Sequence, residues 1–517
     1  MEKYIKGEFT PGTFRTPACQ RQLSADASEE LTLPDYQPAI NRLLRVTPTL
    51  TPPARYIGAG RIELSGSVNY GILYSGEDGQ LYTATLPGTY SFEAAPDDIP
   101  EADLSAGACL LATVRPDSVT GRVTAPRRLS LRTRLTASVT CLADCHPDEI
   151  LEGEVNPAEL RRLVEEAEYG DAVHAEEESV PLEDEIIPEQ GEGELRVIGA
   201  DGWVFVNEAS AARGCIVCRG ELVTRIITCR EGGQPGVECI TRRLPFVHEL
   251  EAPQVSPGWE CRGFGKCQSL NVSVGDGRLL CEAAMSLEAE ACHRESFTST
   301  RDIYSTSAPA ETSLTERRVW LPLKVANGNF SQSGVFDAAE VKLPPDARII
   351  DAVGTANSDS IVCERGRCVV GGEVHYNLVY HDGEQYGALE LSQPFRYETD
   401  LPGGVPDGEL CGGAELTVLS CRPRMDGERV SVDCEISVAL SVGLDTRIPM
   451  LERARFGAAA QPRAGECVVC YPDSGDTLWS VARRYLADAD AIAAQNSLDA
   501  RTPDTPASLG GAKFLIV

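Results

Sequence analysis

Val430-Ser431-Val432-Asp433-Cys434-Glu435-Ile436-Ser437-Val438-Ala439-Leu440-Ser441-Val442 alternates apolar with polar or small side chains along its whole length. Successive side chains of an extended backbone point to opposite sides, so a period of two marks a strand with one face on a core. Met425-Asp426-Gly427-Glu428 stands just before it, an Asp-Gly pair that tolerates the positive φ of a hairpin turn. The stretch predicts a β-strand that closes the last of three similar blocks.

The blocks are read from a shared motif. Gly66-Ser67-Val68-Asn69-Tyr70-Gly71-Ile72-Leu73-Tyr74 returns as Gly220-Glu221-Leu222-Val223-Thr224-Arg225-Ile226-Ile227-Thr228, and again as Gly372-Glu373-Val374-His375-Tyr376-Asn377-Leu378-Val379-Tyr380. The leading glycines are 154 and then 152 residues apart. A turn follows each motif (Gly76 to Gly79, Gly232 to Gly236, Asp382-Gly383), then a segment marked by Pro87, Pro245 or Pro394. Each block ends in a hairpin-like stretch, Leu129 to Val139, Leu279 to Ala289 or Val430 to Val442. Short strands between Gly, Pro and Asp turns predict an antiparallel sandwich or barrel per block. The blocks are too long to be solenoid units, so the expectation is separate beads.

Between the first two blocks the composition changes. From Asp148 to Arg196 there are 18 Asp and Glu against three Arg, a net of −15. Pro157 to Tyr169 is expected to be a helix, with Asn156 as its cap and Leu160, Leu163, Val164 and Ala167 on one side. Beyond Gly170, the run Ala175-Glu176-Glu177-Glu178-Ser179 reads as a solvated spacer or an acidic contact for a basic partner.

At 517 residues the chain exceeds what one core supports, and a net charge of −31 makes nucleic acid a poor partner. Met1-Glu2-Lys3-Tyr4-Ile5-Lys6-Gly7-Glu8 has no apolar h-region, and no run approaches the roughly 18 apolar residues of a membrane span. The expectation is a cytosolic protein without a transmembrane segment. Its 19 cysteines are an odd number, and the default is reduced thiols. Cys215/Cys218 and Cys467/Cys470 lie in β-type runs that point i and i+3 to opposite faces, so they are read as packed thiols with no metal site. No nucleophile elbow, phosphate loop, zinc helix motif or dinucleotide fingerprint occurs. The six histidines are scattered, and His375 with His381 flanks a strand and its turn. No enzyme, cofactor or catalytic residue is expected.

The last fifty residues carry a sharper motif, Ser474-Gly475-Asp476-Thr477-Leu478-Trp479-Ser480, followed by Val481, Ala482, Tyr485 and Gln495-Asn496. Asp476 and Thr477 suit a helix N-cap, and Leu478, Val481, Ala482 and Tyr485 fall on one helical face. Cys467 to Cys470 and Lys513 to Val517 read as flanking strands, and Asp490 to Asn496 as a second helix. This segment resembles a LysM module, a β-α-α-β unit known for gripping N-acetylglucosamine polymers. The resemblance implies a ligand groove between the loop into the first helix and the loop leaving the second. Those loops supply Ser474, Gly475, Asp476, Thr477, Leu478 and Trp479, then Asn496, Ser497 and Leu498 as far as Asp499. Trp479 is a candidate anchor for a partner, or else packs beside the helix.

Leu31-Thr32-Leu33-Pro34-Asp35-Tyr36-Gln37-Pro38-Ala39-Ile40-Asn41-Arg42-Leu43-Leu44-Arg45-Val46 precedes the first block, echoed by Val341 to Ile350 before the third. It resembles the lead-in to the SPOCS domain of SipL-type spore-coat morphogenesis proteins, a family in which such repeats are followed by a terminal LysM. The resemblance implies three β domains joined by linkers plus a β-α-α-β LysM domain. The expected division is 1–145 for the lead-in and first domain, 146–196 for an acidic linker, 197–300 for the second domain, 301–450 for the third and 464–517 for the LysM. It further implies a structural adaptor at the forespore surface in the mother-cell cytosol, binding a SpoIVA-like coat ATPase through the LysM, with other coat proteins as further partners and the β repeats offering further contacts. The alternative is a LysM that holds peptidoglycan, with the β repeats as a stalk.

Overall fold

In the computed structural model the stretch from Val430 to Val442 belongs to one unbroken strand, Arg429–Phe456. The structure describes residues 4–517 except 8, 59, 98, 100–101, 105–106, 189–192, 232–235, 365, 402–404, 406–407, 461–466 and 499–501. Val430, Val432, Cys434, Ile436, Val438, Leu440 and Val442 are all at most 4% exposed, as the period of two requires. The strand is flanked on both sides by antiparallel partners, Ala310–Asp337 and Glu409–Asp426. The same arrangement occurs twice more. Arg128–Cys145 lies between Phe14–Thr32 and Cys109–Ala125, and Arg278–Ser305 lies between Leu160–Ile186 and Glu260–Gly275.

Each glycine-led motif is the middle strand of a second antiparallel sheet. These are Arg61–Gly76 with Leu81–Ala94, Cys215–Glu231 with Val237–Glu251, and Arg367–His381 with Tyr386–Asp400. On the other edge stand Ile40–Leu50 and Ala54–Gly58, Glu194–Ala212, and Arg348–Glu364. Within each domain the two sheets share one apolar core, so the protein is mainly β, with three sandwich domains. The leading glycines have a steric cause. A Cβ on Gly220 or Gly372 would collide with the carbonyl oxygen of Phe205 or Asn357, where the neighbouring strand is bulged between Val206 and Glu208 or between Ser358 and Ser360. In the first domain that strand is broken outright at the same level, and the Tyr90 ring lies over Gly66 while its hydroxyl donates to Thr51 O at 2.9 Å.

Residues 160–186 correct the expectation of a helix and a linker. Asn156 does cap a turn, its side chain accepting from the Ala158 N–H at 3.1 Å, but helical geometry covers only Pro157–Glu159. Leu160–Ile186 is a single 27-residue strand, paired along its length with Arg278–Ser305. It is the opening strand of the second domain, equivalent to Phe14–Thr32 and Ala310–Asp337. Long-range pairing overrides a local helical pattern of modest strength. Leu160, Arg162 and Val164, and later Gly170 and Ala172, turn inward at period two, while Glu165, Glu166, Glu177 and Glu178 face water. Such charges suit an edge strand, since they discourage pairing with other chains. Part of this edge is covered by Tyr4–Lys6 from the N-terminus. The turn expected at Gly232 to Gly236 lies mostly outside the described residues, as does the start of the 464–517 unit.

The three domains also differ from separate beads: they pack around a common axis. Leu73, Ile227 and Val379 hold the same place in the three middle strands and meet in one apolar cluster with Leu44, Leu81 and Ile198. The adjoining strand bulges there in every domain, between Leu43 and Arg45, Val197 and Gly199, and Ile349 and Asp351. Beside this cluster lies a buried charge network drawn from all three domains. Arg45 donates to Asp351 at 2.5 Å, and Arg225 reaches Asp351 at 3.0 Å, Asp201 at 3.1 Å and Ala352 O at 2.7 Å. Burial alone would raise the Asp351 carboxyl, but Arg225 and Arg45 outweigh it and hold its pKa below the usual range. Ile150–Glu152, in the connection between the first two domains, pairs in parallel with the closing strand of the third.

Candidate functional site

The C-terminal module is built as its sequence pattern requires. Helix α1, Leu478–Tyr485, is opened by a capping box. The Thr477 hydroxyl accepts from the Ser480 N–H at 3.1 Å, and the Ser480 hydroxyl accepts from the Thr477 N–H at 2.9 Å. Helix α2, Ala489–Asn496, is capped by Asp488, which accepts from the Asp490 N–H at 2.9 Å. Both helices end on residues at positive φ, Leu486 and Ser497. Val469–Cys470 and Leu515–Ile516 form the small antiparallel sheet, shorter than the expected strands. Leu478, Val481, Ala482, Ile492 and Leu515 make the core, each at most 1% exposed.

The residues expected in the groove divide into three groups. Ser474, Gly475 and Ser497 face solvent, and Leu498 does so in part. Asp476, Thr477 and Asn496 are engaged in shaping the loops. Arg484 donates to Asp476 at 2.6 Å, and with the Asp473 N–H it holds that carboxyl below its ordinary pKa. Asn496 clamps the last strand, donating to Ile516 O at 2.8 Å and accepting from the Ile516 N–H at 2.9 Å. The loops around the two helices meet where the Trp479 N–H donates to Pro503 O at 2.8 Å and the Leu478 N–H donates to the Ser508 hydroxyl at 3.0 Å. Asp499 lies outside the described residues.

Trp479 belongs to a different surface. It is 5% exposed, its indole N–H donates to Asp302 at 2.8 Å, and its ring meets Tyr304 edge-on at 4.7 Å. Asp302 also accepts from Arg483 at 2.7 and 2.9 Å, and Arg483 reaches Ala310 O and the Thr312 hydroxyl at 3.1 Å each. The Tyr304 hydroxyl donates to Ala487 O at 3.0 Å. A second cluster forms at the start of α2, where Arg161 donates to Asp488 at 2.7 Å and Lys6 pairs with Asp488 and Asp490 at 3.1 and 2.5 Å. Burial raises the Asp488 carboxyl, but Arg161 and Lys6 hold it below its ordinary value. The module is thus docked where the closing strand of the second β domain ends and the opening strand of the third begins. Sequence reasoning found Trp479 but not Asp302, Tyr304, Arg161 or Lys6, which lie far away in the chain and form no local pattern.

The face of the small sheet turned away from the core is apolar and bare. Val469 and Ile516 are register partners, flanked by Tyr471 and Phe514, and the four are 46%, 38%, 73% and 54% exposed. Cys470 and Leu515 occupy the inward positions between them. Apolar side chains clustered in this way on a small module mark a contact surface more often than scattered ones do.

Among the described residues, two groups of side chains have donor atoms close enough to share a cation. In the first, His174, Glu176 and Glu288 lie together, and the Arg55 guanidinium donates to both carboxylates at 2.6 Å. In the second, Asp171 pairs with Arg15 at 2.6 Å, the Tyr169 hydroxyl donates to Glu295 at 2.7 Å, and His293 stacks on Trp259 at 3.8 Å. Arginine already supplies positive charge in both, and both span the contact between the first two domains. The thiols of the two Cys-x-x-Cys pairs behave differently within each pair: Cys218 and Cys470 are buried, while Cys467 is exposed and Cys215 partly so.

The model of the LysM domain matches residues 473–504, which span both helices and the loops around them. No curated protein and no solved structure matches the chain. Among the described residues no helix is long and apolar enough to cross a membrane.

Proposed function

We propose that the protein is a non-catalytic adaptor of the SipL type, which holds its LysM module on a three-domain β body and uses that module to bind another protein. The observation that carries this reading is the exposed face formed by Val469, Tyr471, Phe514 and Ile516. Two exposed aromatic side chains beside an exposed apolar strand pair suit a protein surface, where such residues concentrate binding energy. Docking through Trp479 and Arg483 leaves that face outward. The SpoIVA-like coat ATPase is the partner that the sequence resemblance suggests, with other coat proteins joining on the β domains, at the forespore surface in the mother-cell cytosol.

A second reading rests on Ser474, Gly475 and Ser497, which face solvent where LysM modules hold glycan. The two separate in one experiment on the full chain. Retention by the coat ATPase, lost in Tyr471→Glu and Phe514→Glu while the fold is kept, supports the adaptor. Retention on purified peptidoglycan that is insensitive to both substitutions, with no binding to the ATPase, overturns it.

A further inference from the structure

Cys363 and Cys368 face each other across the hairpin that joins Arg348–Glu364 to Arg367–His381. They are register partners, separated from the turn by one further pair, Glu364 and Arg367. Their sulfurs are 3.0 Å apart, and the residues are 5% and 0% exposed within the core of the third domain. That is closer than two thiols approach without a hydrogen bond, and bond formation needs only a small further closure of opposed Cβ positions. Two other pairs are also in register, Cys19 with Cys141 and Cys421 with Cys434. The hairpin pair is set apart by its sulfur contact and by the exposed Glu364, Gly366 and Arg367 beside it.

We propose that Cys363 and Cys368 are a redox site, closing to a reversible cross-strand disulfide by exchange with a small-molecule disulfide of the glutathione class. One cysteine, as thiolate, attacks a sulfur of the small disulfide and expels a thiolate. The second cysteine loses its proton to solvent and attacks the protein-bound sulfur of the mixed disulfide, expelling the second thiolate. Two protein thiols are oxidised to one disulfide, and the small disulfide is reduced to two thiols that take up the released protons. Burial, with the Cys363 thiol beside it, pushes Cys368 up to about 12, so the Cys368 thiol is protonated at neutral pH while the pair is closed. Reaction therefore follows opening of the hairpin end, where Glu364 and Arg367 are exposed and Gly366 sits at φ +79°.

The test uses the full-length reduced protein, incubated natively with oxidised glutathione, then alkylated in denaturant and digested with trypsin. Cleavage after Arg348, Arg365, Arg367 and Arg396 releases Cys363 in peptide 349–365 and Cys368 in peptide 368–396. The expected result is the two peptides joined, about 2 Da lighter than their summed masses, and separated again by reductant. In Cys363→Ser, Cys368 is expected as a mixed disulfide with glutathione or as free thiol. Exposed Cys467 reports that the oxidant was active. Both peptides recovered separately alkylated while Cys467 is modified, or Cys368 joined to any other cysteine, overturns the proposal.

Discussion

Two of the junctions closed by arginine–aspartate pairs differ in how far water reaches them. At the axis of the β body the Arg45, Asp351 and Arg225 side chains are 6%, 2% and 8% exposed. At the LysM dock, Arg483 and Asp302 are 31% and 18% exposed. In the dry junction each ion depends on its partner, because the alternative is an unpaired charge out of water. In the wetter one, solvent stands in for a lost partner at modest cost. The three β domains therefore behave as one body, and the LysM as an attachment whose hold can be loosened.

The largest effect tests the dry junction. Asp351→Ala leaves Arg45 and Arg225 with only the more exposed Asp201 carboxylate between them, and the expected loss is about 3–5 kcal/mol. Chemical denaturation reads it; a loss below about 1 kcal/mol would mean that the three domains do not depend on the network. Asp302→Ala removes the acceptor shared by Trp479 and Arg483. It is expected to weaken the dock by about 1–3 kcal/mol, with faster amide exchange in α1 and an unchanged midpoint for the β body. If the β body melts earlier as well, the two junctions are not independent.

Acid and alkali sharpen the contrast. Asp351 and Asp488 both have folded pKa values held below the ordinary one. Their stabilisation is complete above the unfolded value, about 3.9, and is lost as pH falls through the folded value. Both junctions are therefore expected to weaken in acid. Burial by itself lowers Lys6, but Asp490 and Asp488 raise it above its ordinary value. Its contribution is present below the unfolded value of about 10.4 and is lost as pH rises through the folded one. The dock thus has an alkaline limit as well, read as faster exchange in α2 above that pH in the wild type and not in Lys6→Ala. The smallest effect is expected from Arg484→Ala, which breaks the exposed pair with Asp476. It should cost no more than about 1 kcal/mol and leave the dock intact.

The two junctions also mark the limit of what the sequence discloses. Alternation at Val430 to Val442, the repeated glycine-led strands and the helix N-cap signal at Asp476 and Thr477 are local, and each appears in the structure, with Thr477 as the cap. The acidic stretch misled, because Leu160, Leu163 and Val164 fit a helical face as well as part of a strand. Only pairing with Arg278–Ser305 decides between them. The packing of the domains left a trace that passes for ordinary solvent exposure. Ser437, Ala439 and Ser441 are 8%, 4% and 6% exposed on the outer face, where Arg262 of the second domain donates to Ala439 O at 3.2 Å. Small residues there admit a neighbouring domain, whereas Ser431, Asp433 and Glu435 earlier in the strand remain partly exposed. Trp479 stood out in the sequence either as an anchor for another protein or as a residue packed beside its helix, and the side chains it meets, such as Asp302 177 residues away, left no local sign.

Small-angle X-ray scattering of the full chain tests most directly whether the domains form one body with the LysM docked on it. Close packing of 517 residues predicts a radius of gyration of about 24 Å. A value about half as large again, with the broad profile of units on flexible connections, would contradict it.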